Sequence, residues 1–98
     1  MAKVIMYVKD YCPYCTRAGN LLNKKGVEFE EIDITDDDEL QDYVVHASGR
    51  RTVPQIFIND HPVGGFDNLY DLNKSGELDI LLAVEYVSPV EENIEALQ

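Results

Sequence analysis

A chain of 98 residues that is 45% hydrophobic and 28% charged has the make-up of one globular domain and is too short for two. Its formal net charge of −11 argues against sequence-independent binding to nucleic acid or to an anionic membrane, since both need a basic surface. No apolar run approaches the roughly 18 residues of a membrane span. The run Val4 to Val8, followed at once by Lys9 and Asp10, is too short and too charged for a secretory signal.

Taken in chain order, Lys3 to Val8 reads as a strand, and its unbroken apolar run suits a central position buried on both faces. Pro13 stands where a helix would begin, because a residue without an N–H costs nothing at the first helical position. Cys12 is then the N-cap and Cys15 the third helical residue. Ala18, Leu21 and Leu22 form the apolar face, and Gly26 ends the helix near residue 25. Val27 to Ile34 reads as a second strand in two phases, Val27 and Phe29 in one, Ile32 and Ile34 in the other. Thr35 with Asp38 predicts a variant capping box, with Asp36, Asp37 and Asp38 in a first turn where the helix dipole favours acids. Leu40, Tyr43, Val44 and Ala47 carry that helix to Gly49.

Val53 to Ile58 is the next strand, Asn59-Asp60 the turn, and His61 to Val63 an antiparallel edge strand where Pro62 is tolerable. After Gly64-Gly65, a short helix spans Phe66 to Asn73, with Leu69 and Leu72 facing inward. A last helix spans Glu77 to Val87 and carries Leu78, Leu81, Leu82 and Val84. The expected order is β-α-β-α-β-β-α-α. Ser88-Pro89 interrupts the last helix, so residues 1–87 are expected to form the domain. Residues 88–98 would be an acidic tail with Val90, Ile94 and Leu97 at helical spacing.

The charge is uneven. Residues 1–25 hold five basic side chains (Lys3, Lys9, Arg17, Lys24, Lys25) and a single acid, Asp10, so a small anion could be steered there. The only two cysteines, Cys12 and Cys15, are too close together to staple distant segments, and His46 and His61 fit no zinc-finger spacing. No metal is therefore expected, and redox chemistry is the better reading. A sulfur at a helix N-terminus faces unpaired N–H groups and the positive end of the dipole, which stabilise the thiolate that disulfide exchange requires. Cys12 is expected to be the nucleophile. Cys15, one turn inside, is expected to resolve the mixed disulfide.

Cys12-Pro13-Tyr14-Cys15 resembles the active-site motif of the dithiol glutaredoxins. So do Lys9 three residues before it, Thr52-Val53-Pro54, and Gly64-Gly65-Phe66-Asp67, in the same order and over residues 3 to about 86. The resemblance implies an α/β thioredoxin-like fold with a central mixed four-stranded sheet flanked by helices, and a cis bond before Pro54. It implies a thiol-disulfide oxidoreductase with glutathione as co-substrate, acting on glutathionylated or disulfide-containing proteins, with ribonucleotide reductase as a candidate, in cytoplasmic redox homeostasis and as a monomer. It also implies a glutathione groove. Lys9, with Arg51 or Arg50 as the second contact, would hold the glycine carboxylate beside Thr52. Val53, before Pro54, would pair its backbone with the glutathione cysteine, and Tyr14 would flank the sulfur. The N–H groups of the helix opened by Gly65, Phe66 and Asp67 would hold the γ-glutamyl carboxylate. Asp67 would hold the ammonium or simply cap the helix. Phe66 departs from the Cys or small residue that many relatives carry there. Two other readings compete: a thioredoxin-like donor served by a flavoprotein reductase, and a dimer holding an iron–sulfur cluster through Cys12 and glutathione.

Overall fold

The structure, a computed structural model, describes residues 1–87. The expected acidic tail, with Val90, Ile94 and Leu97, lies outside the described residues. Eight elements follow in the expected order: β1 (Val4–Val8), α1 (Pro13–Lys24), β2 (Glu30–Asp33), α2 (Asp38–Ser48), β3 (Gln55–Ile58), β4 (His61–Gly64), α3 (Phe66–Ser75) and α4 (Glu77–Ala83). They build one four-stranded mixed sheet in the order β2-β1-β3-β4. β1 is parallel to β2, with Tyr7 opposite Ile32, and antiparallel to β3, with Met6 opposite Ile56.

The two-residue period of the central strands divides the core. Val4, Met6 and Val8 of β1 and Ile56 and Ile58 of β3 meet Cys15, Ala18 and Leu22 of α1, Leu69 of α3 and Leu78 of α4. Tyr7 and Phe57 point the other way and meet Ile34 and Val44, with Leu40 and Ala47 of α2 packed against them. The two phases of residues 27–34 have the same explanation. Val27 and Phe29 pack on the α1 side and Ile32 on the α2 side. Regular pairing covers only Glu30 to Asp33, because β2 is an edge strand with one neighbour.

Among the boundaries that differ from the expected ones, three concern α2, β3 and α4. The cap of α2 is Asp37, whose carboxylate accepts the Leu40 N–H at 3.0 Å. Thr35 is engaged elsewhere: its hydroxyl and N–H both donate to Asp33, and its oxygen accepts the Asp10 N–H at 3.0 Å. The strand expected from Val53 begins at Gln55, and the Val53-Pro54 bond before it is cis. α4 stops at Ala83 rather than Val87. Val84 is extended, its carbonyl accepts the Asn59 side-chain N–H at 2.9 Å, and the Tyr86 N–H donates to the Met1 carbonyl at 3.4 Å. Tertiary partners thus end that helix where the local periodicity would continue it. At the Asn59-Asp60 turn both residues have positive φ, 51° and 68°, as a tight hairpin requires.

Candidate active site

β1 delivers the chain to the C-terminal end of the sheet, and Tyr11, at φ 54° and fully exposed, swings it into α1. Cys12 is the N-cap of α1, with extended backbone, and Pro13 follows as the first helical residue. The Cys12 sulfur accepts the Cys15 N–H at 3.1 Å. The same sulfur lies 3.7 Å from the Val53 carbonyl oxygen. Cys12 and Cys15 are joined as a disulfide across a Cα separation of 5.2 Å. Their surroundings differ. Cys15 is buried at 5% exposure in the core against Ala18 and Leu22, whereas Cys12 is half-buried at the surface.

Two grooves share the ridge of Thr52 and Val53. One, of about 330 Å³, is lined by Tyr14, Arg50, Thr52, Val53, Pro54, Gly65, Phe66, Asp67 and Asn68. The other, of about 270 Å³, brings Lys9 from the end of β1 together with Arg50, Arg51 and Gln41. The sequence expectation thus finds Lys9 and Arg51 on one side of the ridge and Tyr14, Gly65, Phe66 and Asp67 on the other. Arg50 borders both. Asp67 is not a cap: it is the exposed second residue of α3, and Gly65 occupies the N-cap. In the absence of a cap side chain, Asn68 reaches back so that its Oδ1 accepts the Gly65 N–H at 3.1 Å and the Arg50 Nη1 at 3.0 Å. Gly64 makes room for that atom, since a Cβ there would lie 2.5 Å from it at a φ of +118°. Asn68 escaped the sequence reading, although a side-chain acceptor three residues after a cap position is the spacing of a capping box.

A third depression of about 510 Å³ flanks the disulfide and holds Lys9, Asp10, Tyr11, Thr16, Glu31 and Asp33. The Asp33 charge pushes the Asp10 carboxyl above the usual carboxylate range. The hydroxyl and N–H of Thr35 hold Asp33 below it. The N-terminal basic cluster is not one patch. Lys3 pairs with Asp60 at 3.1 Å and Lys25 with Asp79 at 2.6 Å, on other parts of the surface. Arg17 lies over the Tyr14 ring at 5.3 Å, and the Tyr14, Phe66 and Tyr70 rings follow one another at 6.3 and 6.0 Å. The cations beside the ridge are therefore Lys9 with Arg50 and Arg51, from distant parts of the chain. Among the described residues, no group of three or more His, Cys, Asp or Glu side chains is placed to hold a metal ion. No described helix is long and apolar enough to cross a membrane.

Comparison with known proteins supplies the context for this geometry. Residues 4–63 match the family model described as Glutaredoxin. Over 83 residues the chain is 53% identical to a probable glutaredoxin of Synechocystis sp., covering 84% of this chain and 76% of that one. It is 49% identical over 82 residues to glutaredoxin 3 of Escherichia coli, covering 84% and 99%. Among solved structures, the buckwheat glutaredoxin–glutathione complex superposes with a TM-score of 0.76 at 27% identity, covering 83% of this chain and 76% of that one.

Proposed function

Since the chain belongs to the glutaredoxin family of thiol-disulfide oxidoreductases, with Cys12 and Cys15 as its redox-active pair, we propose that glutathione is its co-substrate and that glutathionylated and disulfide-containing proteins are its targets. One observation carries this reading. The Cys12 sulfur stands between the first turn of α1 and the backbone of half-buried Val53 in the loop before β3, so one sulfur is both activated and next to a main chain that a peptide can pair with.

Reduction of a glutathionylated protein begins with attack of the Cys12 thiolate on the glutathionyl sulfur. The protein thiolate leaves and takes up a proton, and Cys12 carries the glutathionyl group. A second glutathione thiolate then attacks that group, releasing oxidised glutathione and returning Cys12 to the thiolate. For a protein disulfide, Cys12 forms the mixed disulfide and Cys15 displaces the protein thiol, closing the Cys12–Cys15 bond. Two glutathione molecules reopen it. The first N–H groups of α1 stabilise the negative sulfur at each departure.

In the same proposal Lys9 and Arg51 meet the glycine carboxylate of glutathione, with Arg50 at the junction of the grooves. Thr52, Val53 and Pro54 form the strand-like lip. Tyr14, Gly65 and Phe66 line the γ-glutamyl end, and the exposed Asp67 carboxylate receives the ammonium. Charge complementarity supports the division, since glutathione carries two carboxylates and one ammonium. A monomer in the cytoplasm, with ribonucleotide reductase among its clients, completes the reading. The use of cysteine as a single local pair rather than as a structural framework supports the reducing compartment. Residues 1–87 would carry the activity, with 88–98 dispensable. The test is a coupled assay of glutathione mixed-disulfide reduction with NADPH and glutathione reductase. Turnover dependent on glutathione is expected. Reduction of protein disulfides with a flavoprotein reductase but none with glutathione would overturn the reading.

A further inference from the structure

Gln55 is the largest polar anomaly of the described core. It opens β3, opposite Tyr7 of β1, and is 0% exposed, the only buried polar side chain in a strand otherwise made of Ile56, Phe57 and Ile58. Its Nε2 donates to the Thr52 carbonyl at 2.9 Å and to the Thr52 hydroxyl oxygen at 3.3 Å. Its Oε1 has no hydrogen-bond partner among the described residues. The amide orientation is settled by the carbonyl, which only an N–H can face.

Leaving a buried amide oxygen without a donor is unfavourable, and an apolar side chain of similar length would suit a sheet interior better. The stability of β3 therefore does not account for this residue. What Gln55 holds is the start of the ridge: Thr52 and Val53 separate the Lys9–Arg51 groove from the Phe66–Asp67 groove, and Val53 presents its carbonyl 3.7 Å from the Cys12 sulfur. A hydrogen bond from Gln55 back to Thr52 bridges the turn and restrains rotation of the Thr52–Val53 peptide. That peptide carries the Val53 N–H, which an incoming peptide must find already aimed.

We propose that Gln55 is a positioning residue, which acts through Thr52 to hold the Val53 backbone in the orientation that receives the cysteine-bearing segment of a disulfide substrate. The proposal rests on the glutathione reading above. Gln55 touches neither sulfur nor substrate. Its contribution is to order the lip before binding, so that less freedom is lost when substrate docks.

The test compares wild type with Gln55→Met, which keeps the length and removes both the donor and the unpartnered oxygen. KM for a glutathionylated peptide is expected to rise about tenfold, the equivalent of one net hydrogen bond, with kcat within about twofold because the sulfur chemistry is untouched. The melting temperature should hold or rise, and the Val53 N–H should exchange faster with solvent. Gln55→Leu should behave alike. Unchanged KM in a folded variant overturns the proposal, as does a loss of kcat that accompanies a fall in melting temperature. Failure of both variants to fold would make Gln55 a structural residue and overturn it too. If wild type itself does not turn over the glutathionylated peptide, the functional reading fails and takes this proposal with it. If wild type is active and the variants match it, the positioning role alone fails.

Discussion

The N-termini of α1 and α3 border the same groove and are finished in opposite ways. α1 is capped by a sulfur: Cys12 accepts the Cys15 N–H, so the atom that satisfies the helix is also the atom that can leave it to react. α3 is capped by Gly65, which has no side chain to accept a first-turn N–H; Asn68 one turn inside, held in turn by Arg50, accepts the N–H of Gly65 itself. The first arrangement places a nucleophile at the positive end of a dipole. The second keeps the cap position clear of side chain where α3 borders the groove. In the function proposed above, one helix end carries chemistry and the other recognition, and the difference lies in whether the cap position presents a side-chain atom.

The largest effect is expected at the reactive cap. Cys12→Ser replaces sulfur with an oxygen that also caps helices, so the fold should persist while reduction of glutathione mixed disulfides and of protein disulfides falls to background. Mass spectrometry after oxidised glutathione should find no adduct. An adduct on Cys15 with turnover retained would reverse the roles of the two cysteines. Next, Cys15→Ser should keep mixed-disulfide reduction, lose most protein-disulfide reduction, and accumulate a glutathionyl adduct at Cys12, since the buried resolver is gone but the half-buried Cys12 sulfur remains.

Across the ridge, Lys9→Ala should weaken use of glutathione by about 1–3 kcal/mol, or roughly five- to 150-fold in KM, through loss of a charge-assisted contact. An unchanged KM would make Lys9 a surface charge only. At the recognition cap, Asn68→Ala strips the acceptor from Gly65 and Arg50 together, at a cost of about 1 kcal/mol. For a domain of this size that lowers the melting temperature by roughly 4–8 °C. No shift would mean that water caps α3 equally well.

The smallest effect concerns Asp10 and Asp33. Asp10 has its folded pKa raised by Asp33, so its protonated form favours the folded state. Its contribution is full below the unfolded carboxylate value and is lost as pH rises through the folded one. Asp33 has its folded pKa lowered by Thr35, so its contribution is present at neutral pH and lost as pH falls through that lowered value. Asp10→Asn should therefore raise the melting temperature slightly at pH 7, and the gain should vanish in acid, as a thermal series across pH would record. A gain that persists in acid would exclude repulsion as its cause.

The order of elements, the central position of β1, the start of α1 at Pro13 with Cys12 as its cap, and the two faces met by residues 27–34 were all legible in the sequence. Each follows from a local rule: a proline's missing donor, a two-residue or helical period, a glycine's freedom after a helix. These act between neighbours in the chain, so neighbours suffice to read them. What the tertiary structure decided came from partners far apart in sequence. Asn59 takes the Val84 carbonyl and helps end α4 early. Thr35, drawn to Asp10 and Asp33, leaves the capping of α2 to Asp37. Lys3 and Lys25 are claimed by Asp60 and Asp79, which disperses the basic cluster that composition suggested. Lys9 meets Arg50 and Arg51 only because the sheet places β1 beside the loop before β3. A side chain's hydrogen-bonding capacity is written in its residue type, but which of several competing acceptors it meets depends on packing that brings distant segments within about 3 Å.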